Sequence, residues 1–141
     1  MNRIAVQFLD QGLHRVLFDA MPLPVFVVDK DVSVLEYNNA AARMLGADKS
    51  AVMNRRGGSV WHCLHAAESP EGCGHAEACK NCVVRESVQA AMEGRRVTRR
   101  WTEMDLIFKG TPAKVSLRVS CQPFTYEKSS LVLLVLEGLN D

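Results

Sequence analysis

Four of the five cysteines, Cys63, Cys73, Cys79 and Cys82, fall within twenty residues, and Cys121 stands well apart from them. Thiols used as small core hydrophobes scatter along a chain, whereas a run spaced C-x9-C-x5-C-x2-C can bring its sulfurs to one point. Cys79 and Cys82 form the C-x2-C turn on which two thiolates chelate the same ion, and soft sulfur suits zinc or an iron–sulfur cluster. Cys73 lies between Gly72 and Gly74, which let a backbone fold closely around such a centre. Cys82 begins a helix, where the positive end of the peptide dipoles favours thiolate and an anionic cluster. The expectation is a metal centre held by Cys63, Cys73, Cys79 and Cys82.

Two other readings of the run stay open: a reversible thiol–disulfide switch, and thiols with no joint role. His62, His65 and His75 interleave with the cysteines, and any of them could replace one sulfur. A structural zinc usually shows two chelating pairs and this run has one, while iron–sulfur ligation tolerates irregular spacing, which puts the cluster ahead of zinc. Cys121 follows the inward face of its strand and reads as a packed thiol. Trp61, next to the run, reads as shielding or as core.

The chain has 141 residues, enough for one domain with its own core. Seventeen basic and sixteen acidic residues nearly cancel, which argues against a nucleic-acid or anionic-membrane partner. Arg95, Arg96, Arg99 and Arg100 read as the solvated start of a strand. Met1 to Met21 mixes charges into its apolar residues, so neither a signal peptide nor a membrane span is expected. A cytoplasmic location follows, where a cysteine cluster binds metal or does redox work rather than forming a permanent staple. No Gly-rich phosphate loop, G-x-S-x-G or H-E-x-x-H occurs, and the C-x2-C lies in glycine-rich, loop-like sequence rather than at a βα junction. The reading is non-enzymatic.

Ile4, Phe8, Leu13, Val16, Leu17 and Met21 recur at helical spacing, predicting an amphipathic helix over about 3–20, closed by Pro22 and Pro24. Val25 to Val28 and Val32 to Tyr37 read as two strands around the turn Asp29-Lys30-Asp31, with Val32, Val34 and Glu36 on one face and Ser33, Leu35 and Tyr37 on the other. Asn38 caps a short helix ending at Gly46, and a second short helix is expected around Lys49 to Met53. Val83 to Gly94 is a helix whose inner face carries Val84, Val88, Ala91 and Met92. Three strands follow. Arg96 to Phe108 ends at a Lys109-Gly110-Thr111-Pro112 turn, Lys114 to Cys121 alternates with Val115, Leu117, Val119 and Cys121 on one side, and Leu131 to Leu136, apolar on both faces, must lie centrally and be covered twice.

The segment Met21-Pro22-Leu23-Pro24-Val25-Phe26-Val27-Val28-Asp29, followed by Val34-Leu35-Glu36-Tyr37-Asn38-Asn39-Ala40-Ala41, resembles the opening of a PAS domain, and the three last strands are similar to the rest of that family's sheet. The resemblance spans about residues 13–138. It implies an α+β PAS fold: a five-stranded antiparallel sheet with short helices on one face and an N-terminal amphipathic helix. The domain division expected is the helix over 1–20 and a single PAS domain over 21–138 with a cysteine-rich insert at 57–82. The family implies a sensory and dimerisation module, commonly paired through the outer sheet face and the N-terminal helix, with a histidine kinase or regulator as signalling partner. Some bacterial sensor histidine kinases carry an iron–sulfur cluster in a cysteine-rich PAS domain, and the run here resembles theirs, although theirs has two C-x2-C pairs.

Other PAS cofactors fit less well. The flavin type needs an Asn-Cys-Arg-Phe-Leu-like helix, c-type haem needs C-x-x-C-H where Val83 follows Cys82, and b-type haem needs a histidine that residues 83–94 lack. The expected function is therefore a redox or oxygen sensor in which altered ligation reorders residues 58–82 and shifts the following helix against the sheet. No kinase, cyclase or DNA-binding segment is read in these residues, so the output is expected in trans on a separate effector or through a larger system of which this is the sensory piece. The rival readings are the thiol–disulfide switch and an interaction module stapled by structural zinc.

Overall fold

The computed structural model describes residues 12–45, 52–55, 57, 73, 82–108 and 111–138. In chain order these form α1 (Leu13–Ala20), β1 (Val25–Val28), β2 (Val34–Tyr37), α2 (Asn39–Leu45), α3 (Val83–Met92), β3 (Val97–Phe108), β4 (Thr111–Tyr126) and β5 (Ser129–Gly138). The five strands make one antiparallel sheet in the order β2-β1-β5-β4-β3.

β5 is central because both of its faces are apolar. Val132, Leu134 and Leu136 enter the main core with Phe26, Val28, Val119 and Cys121, and this face is covered by Ala41 of α2 and by Val84, Val88 and Ala91 of α3. Leu131 lies on the other face with Val25, Val27 and Leu35, where Phe18 of α1 covers it. The double cover expected of Leu131 to Leu136 is complete on the main-core face and partial on the other, where Leu133 and Val135 are half-buried; each fully buried Leu or Val contributes about 1.5–3 kcal/mol. Alternation along β4 is as read, with Leu117, Val119 and Cys121 buried.

β2 departs from simple alternation. Its register against β1 pairs Val28 with Val34 and then Val27 with Glu36, so a bulge falls between them. The extra residue turns Glu36 to the α1 face together with Leu35, and Tyr37 joins the main core with Val34. The expected grouping of Glu36 with Val34 is therefore corrected: a period of two fails where one strand holds an extra residue.

Other boundaries move for local reasons. α1 is described from Leu13, and residues 3–11 of the expected 3–20 helix lie outside the described residues, as do Gly46 and residues 49–51 of the second short helix. α1 stops at Ala20 because Pro22 cannot continue a helix. α3 ends at Met92, where Gly94 at φ 89° lets the amides of Gly94 and Arg95 close on the carbonyls of Ala91 and Ala90. β4 begins at Thr111, so the expected turn residue Pro112 belongs to the strand. It is tolerated because that stretch of β4 pairs only with β3, and β5 joins from Leu117 onward.

Two turns hold residues in unusual conformations. Val32 sits at φ 61°, costly for a β-branched side chain at about 1–3 kcal/mol. Its burial in the main core and two backbone hydrogen bonds, Val32 N to Asp29 O (3.0 Å) and Gly57 N to Val32 O (2.7 Å), hold it there. Glu127 and Lys128, both at positive φ, make the two-residue loop between β4 and β5.

Candidate functional site

The N-terminal end of α3 is the described part of the expected cysteine site. Cys82 occupies the N-cap in extended conformation, its carbonyl accepts the Glu86 amide at 2.9 Å, and its side chain does not cap the helix. Cys82 also packs against the main core. One turn on, the Arg85 guanidinium donates to Cys73 Sγ at 3.6 Å, and Cys73 is buried. A sulfur nine positions before Cys82 in the chain is thereby tied to the first turn of the helix that Cys82 caps.

Cys63, Cys79, His62, His65, His75 and Trp61 lie outside the described residues. Among the described residues no group of three or more metal-capable side chains forms. Two of the four sulfurs are therefore located, and sulfur donors of this kind suit an iron–sulfur cluster or zinc. Cys121 plays a different part: it lies in the main core on β4 between Val97 and Leu134, and burial pushes its thiol up to about 12.

Asn38 is a structural anchor, as its cap position suggests. Its Oδ1 accepts the amides of Ala41 and Val25, both at 3.0 Å, and its Nδ2 donates to the Leu23 carbonyl at 3.0 Å. The four-arginine segment is solvated and largely neutralised, with Arg95 on Glu93 (2.7 Å), Arg99 on Glu137 (3.0 Å) and Arg100 on Glu86 (2.8 Å). Those pairs do not leave the contiguous free charge that a nucleic-acid backbone needs.

Three features went unread in the sequence. Arg85 carried a signal, a basic residue one turn into the helix after the cysteine run. Ser87 shares the buried face of α3 with Val84, Val88 and Ala91, and its hydroxyl has no hydrogen-bond partner. Glu36 is fully buried and reaches Arg15 Nη1 at 3.2 Å, while Arg15 Nε donates to Asp19 at 3.0 Å. Desolvation lowers the Arg15 pKa, but Glu36 and Asp19 together outweigh it and hold the guanidinium above its ordinary value.

Among the described residues, no helix is long and apolar enough to cross a membrane. Comparison with curated proteins gives no match. Residues 12–78 match the family model described as PAS domain. Similar solved structures include the PAS domain of an HTR-like protein from Haloarcula marismortui, 20% identical over 99% of this chain and 100% of that one, with a TM-score of 0.55. The PAS domain of nitrogen regulation protein NR(II) from Vibrio parahaemolyticus is 13% identical over 92% of this chain and 100% of that one (TM-score 0.61). The PAS domain of BvgS from Bordetella pertussis is 17% identical over 97% and 88% (TM-score 0.56). Residues 12–78 thus belong to the PAS domain family, and the five-stranded antiparallel sheet with its few helices gives the chain the PAS fold.

Proposed function

We propose that this chain is a non-catalytic PAS sensor in which Cys63, Cys73, Cys79 and Cys82 hold a metal centre, an iron–sulfur cluster ahead of zinc, and that it responds to oxygen or oxidants. The observation that carries the reading is that α3 starts at Cys82 and that its Arg85 donates to the buried Cys73 sulfur. When bound, an iron–sulfur cluster would supply the redox and oxygen chemistry. The protein's part is mechanical. Cys82 is continuous with α3, and α3 lays Val84, Val88 and Ala91 on the sheet, so loss of ligation at Cys82 releases a constraint on a helix that packs directly against β4 and β5.

The signal leaves through α1 and the outer sheet face. Leu13, Val16 and Leu17 lie at i, i+3 and i+4 on α1 and are 68%, 63% and 55% exposed, an apolar stripe suited to a second copy of the chain. The downstream partner in this reading is a histidine kinase or regulator, in keeping with the nitrogen regulation protein among the similar structures. The setting is the cytoplasm, where reduced thiols persist as ligands.

Anaerobic purification with iron, sulfide and zinc analysis tests the metal. Iron with sulfide and broad absorbance near ~400 nm supports the cluster. Stoichiometric zinc without colour gives the site to a structural staple. Absence of metal combined with a reversible Cys79–Cys82 disulfide gives it to a thiol switch. Unchanged metal content and redox response in Cys79→Ser/Cys82→Ser overturns the assignment of these ligands.

A further inference from the structure

The solvent flank of α3 faces the β1–β2 turn and the start of β3 across an open cleft of about 500 Å³. Its charged lining is Lys30, Arg85, Glu86, Glu93, Arg95 and Arg100. Glu86 is taken by Arg100 at 2.8 Å and Glu93 by Arg95 at 2.7 Å, so both acids in the wall are answered by neighbouring arginines. Among the described residues, Lys30 and Arg85 remain as the cations that no lining carboxylate neutralises. Lys30 is exposed on a turn that Asp29 stabilises by accepting the amides of Asp31 and Ser33 at 2.9 and 3.0 Å, and neither aspartate lines the cleft. Val32 at φ 61°, pinned by Asp29 and Gly57, also lines it and fixes the wall that carries Lys30.

Arg85 has a second tie, since its Nη1 donates to Cys73 Sγ at 3.6 Å. Sulfur is a weak acceptor, whereas a carboxylate or phosphate takes a guanidinium by two short charge-assisted hydrogen bonds. An anion entering the cleft would therefore compete for the same guanidinium. We propose that the cleft is a binding site for a small dianion held between Lys30 and Arg85, and that the anion and the Cys73 sulfur share Arg85. The cysteine site thereby receives a second, chemically distinct input. Anion binding and its effect on Cys73 do not require the metal reading; only their influence on a metal centre rests on it.

The test titrates the intact, metal-free chain with inorganic phosphate in one arm and succinate in the other, at constant ionic strength set with sodium chloride. Binding is followed by calorimetry, and the Cys73 β-carbon by NMR. The expected result is saturable binding of at least one probe, with the Cys73 resonance moving at the same midpoint. Lys30→Ala weakens binding roughly tenfold, the effect of one lost charge-assisted hydrogen bond, and carries both midpoints with it. Lys30 is exposed, so its replacement leaves the fold intact, and Arg118→Ala, on the paired strand β4, serves as a charge control that leaves affinity unchanged. The arm that saturates identifies the anion class. No saturation with either probe, or wild-type affinity in Lys30→Ala and Arg85→Ala, overturns the site. Saturable binding that leaves the Cys73 resonance unmoved overturns the sharing of Arg85.

Discussion

Asn38 joins three segments through one side chain: it caps α2 at Ala41, receives the first amide of β1 and holds the carbonyl of Leu23. Asn38→Ala removes the cap and leaves the Val25 amide buried without its acceptor, so a loss of about 2–4 kcal/mol is expected in urea unfolding. Asn38→Asp keeps both amide acceptances and falls between the two. Cys121 gives a pH signature. Its thiol is raised from 9.0 to about 12 by burial, so the folded state keeps a proton that the unfolded chain gives up. A raised value contributes stability that is complete below pH 9 and is lost as pH rises toward 12. Stability should fall across that window, and Cys121→Ala should remove this part of the fall. In the native protein at neutral pH, Cys121 should resist alkylation, as mass spectrometry of iodoacetamide-treated protein would show. The role of Cys121 and the cap at Asn38 were legible in sequence, because strand alternation and helix capping are local. The tie from Arg85 to Cys73 was not, since the two stand twelve positions apart and only folding brings them together.

At the scale of elements, α1 is tied to the sheet by Phe18 and by the ion pair from Arg15 to the buried Glu36, with Arg15 also over the Phe18 ring at 5.8 Å. Removing Arg15 takes the opposite charge away from the buried Glu36 carboxylate, whose Oε1 still accepts the Tyr37 amide at 3.1 Å. Arg15→Met is expected to cost about 2–4 kcal/mol, and Arg15→Met/Glu36→Leu to recover most of it, as a double-mutant cycle in urea would measure. The β4–β5 loop offers the opposite case. Glu127 and Lys128 hold positive φ that Asn-Gly adopts readily, so Glu127→Asn/Lys128→Gly is expected to stabilise the protein by about 1 kcal/mol. Element types and order were readable from period and turn chemistry. The bulge that carries Glu36 to the α1 face was not, because an extra residue in one strand shows only against its partner's register.

For the whole molecule, the apolar stripe of α1 and the cysteine site make separate predictions. Leu13→Glu/Leu17→Glu places charge on exposed positions, so the monomer should fold with unchanged melting temperature while the proposed dimer is lost in light scattering. An unchanged dimer would move the interface elsewhere. On the proposed metal reading, chelation under anaerobic conditions should lower the melting temperature and raise hydrogen exchange at the α3 amides, because ligand binding energy is folding energy when the site forms only on folding. Arg85→Ala should leave the sheet amides protected and change exchange chiefly in the first turn of α3.

Taken alone, the sequence determined the α+β class, the order of elements, the central place of Leu131 to Leu136 and the grouping of four cysteines in one stretch, because periodicity, capping and spacing act over a few residues. Only the tertiary structure decided which face Glu36 occupies, that Arg15 answers it, that Cys73 reaches Arg85 at the start of α3, and that Lys30 stands across a cleft from that arginine. These are contacts between residues far apart in the chain, whose geometry is set when helices and strands pack and not by any local preference.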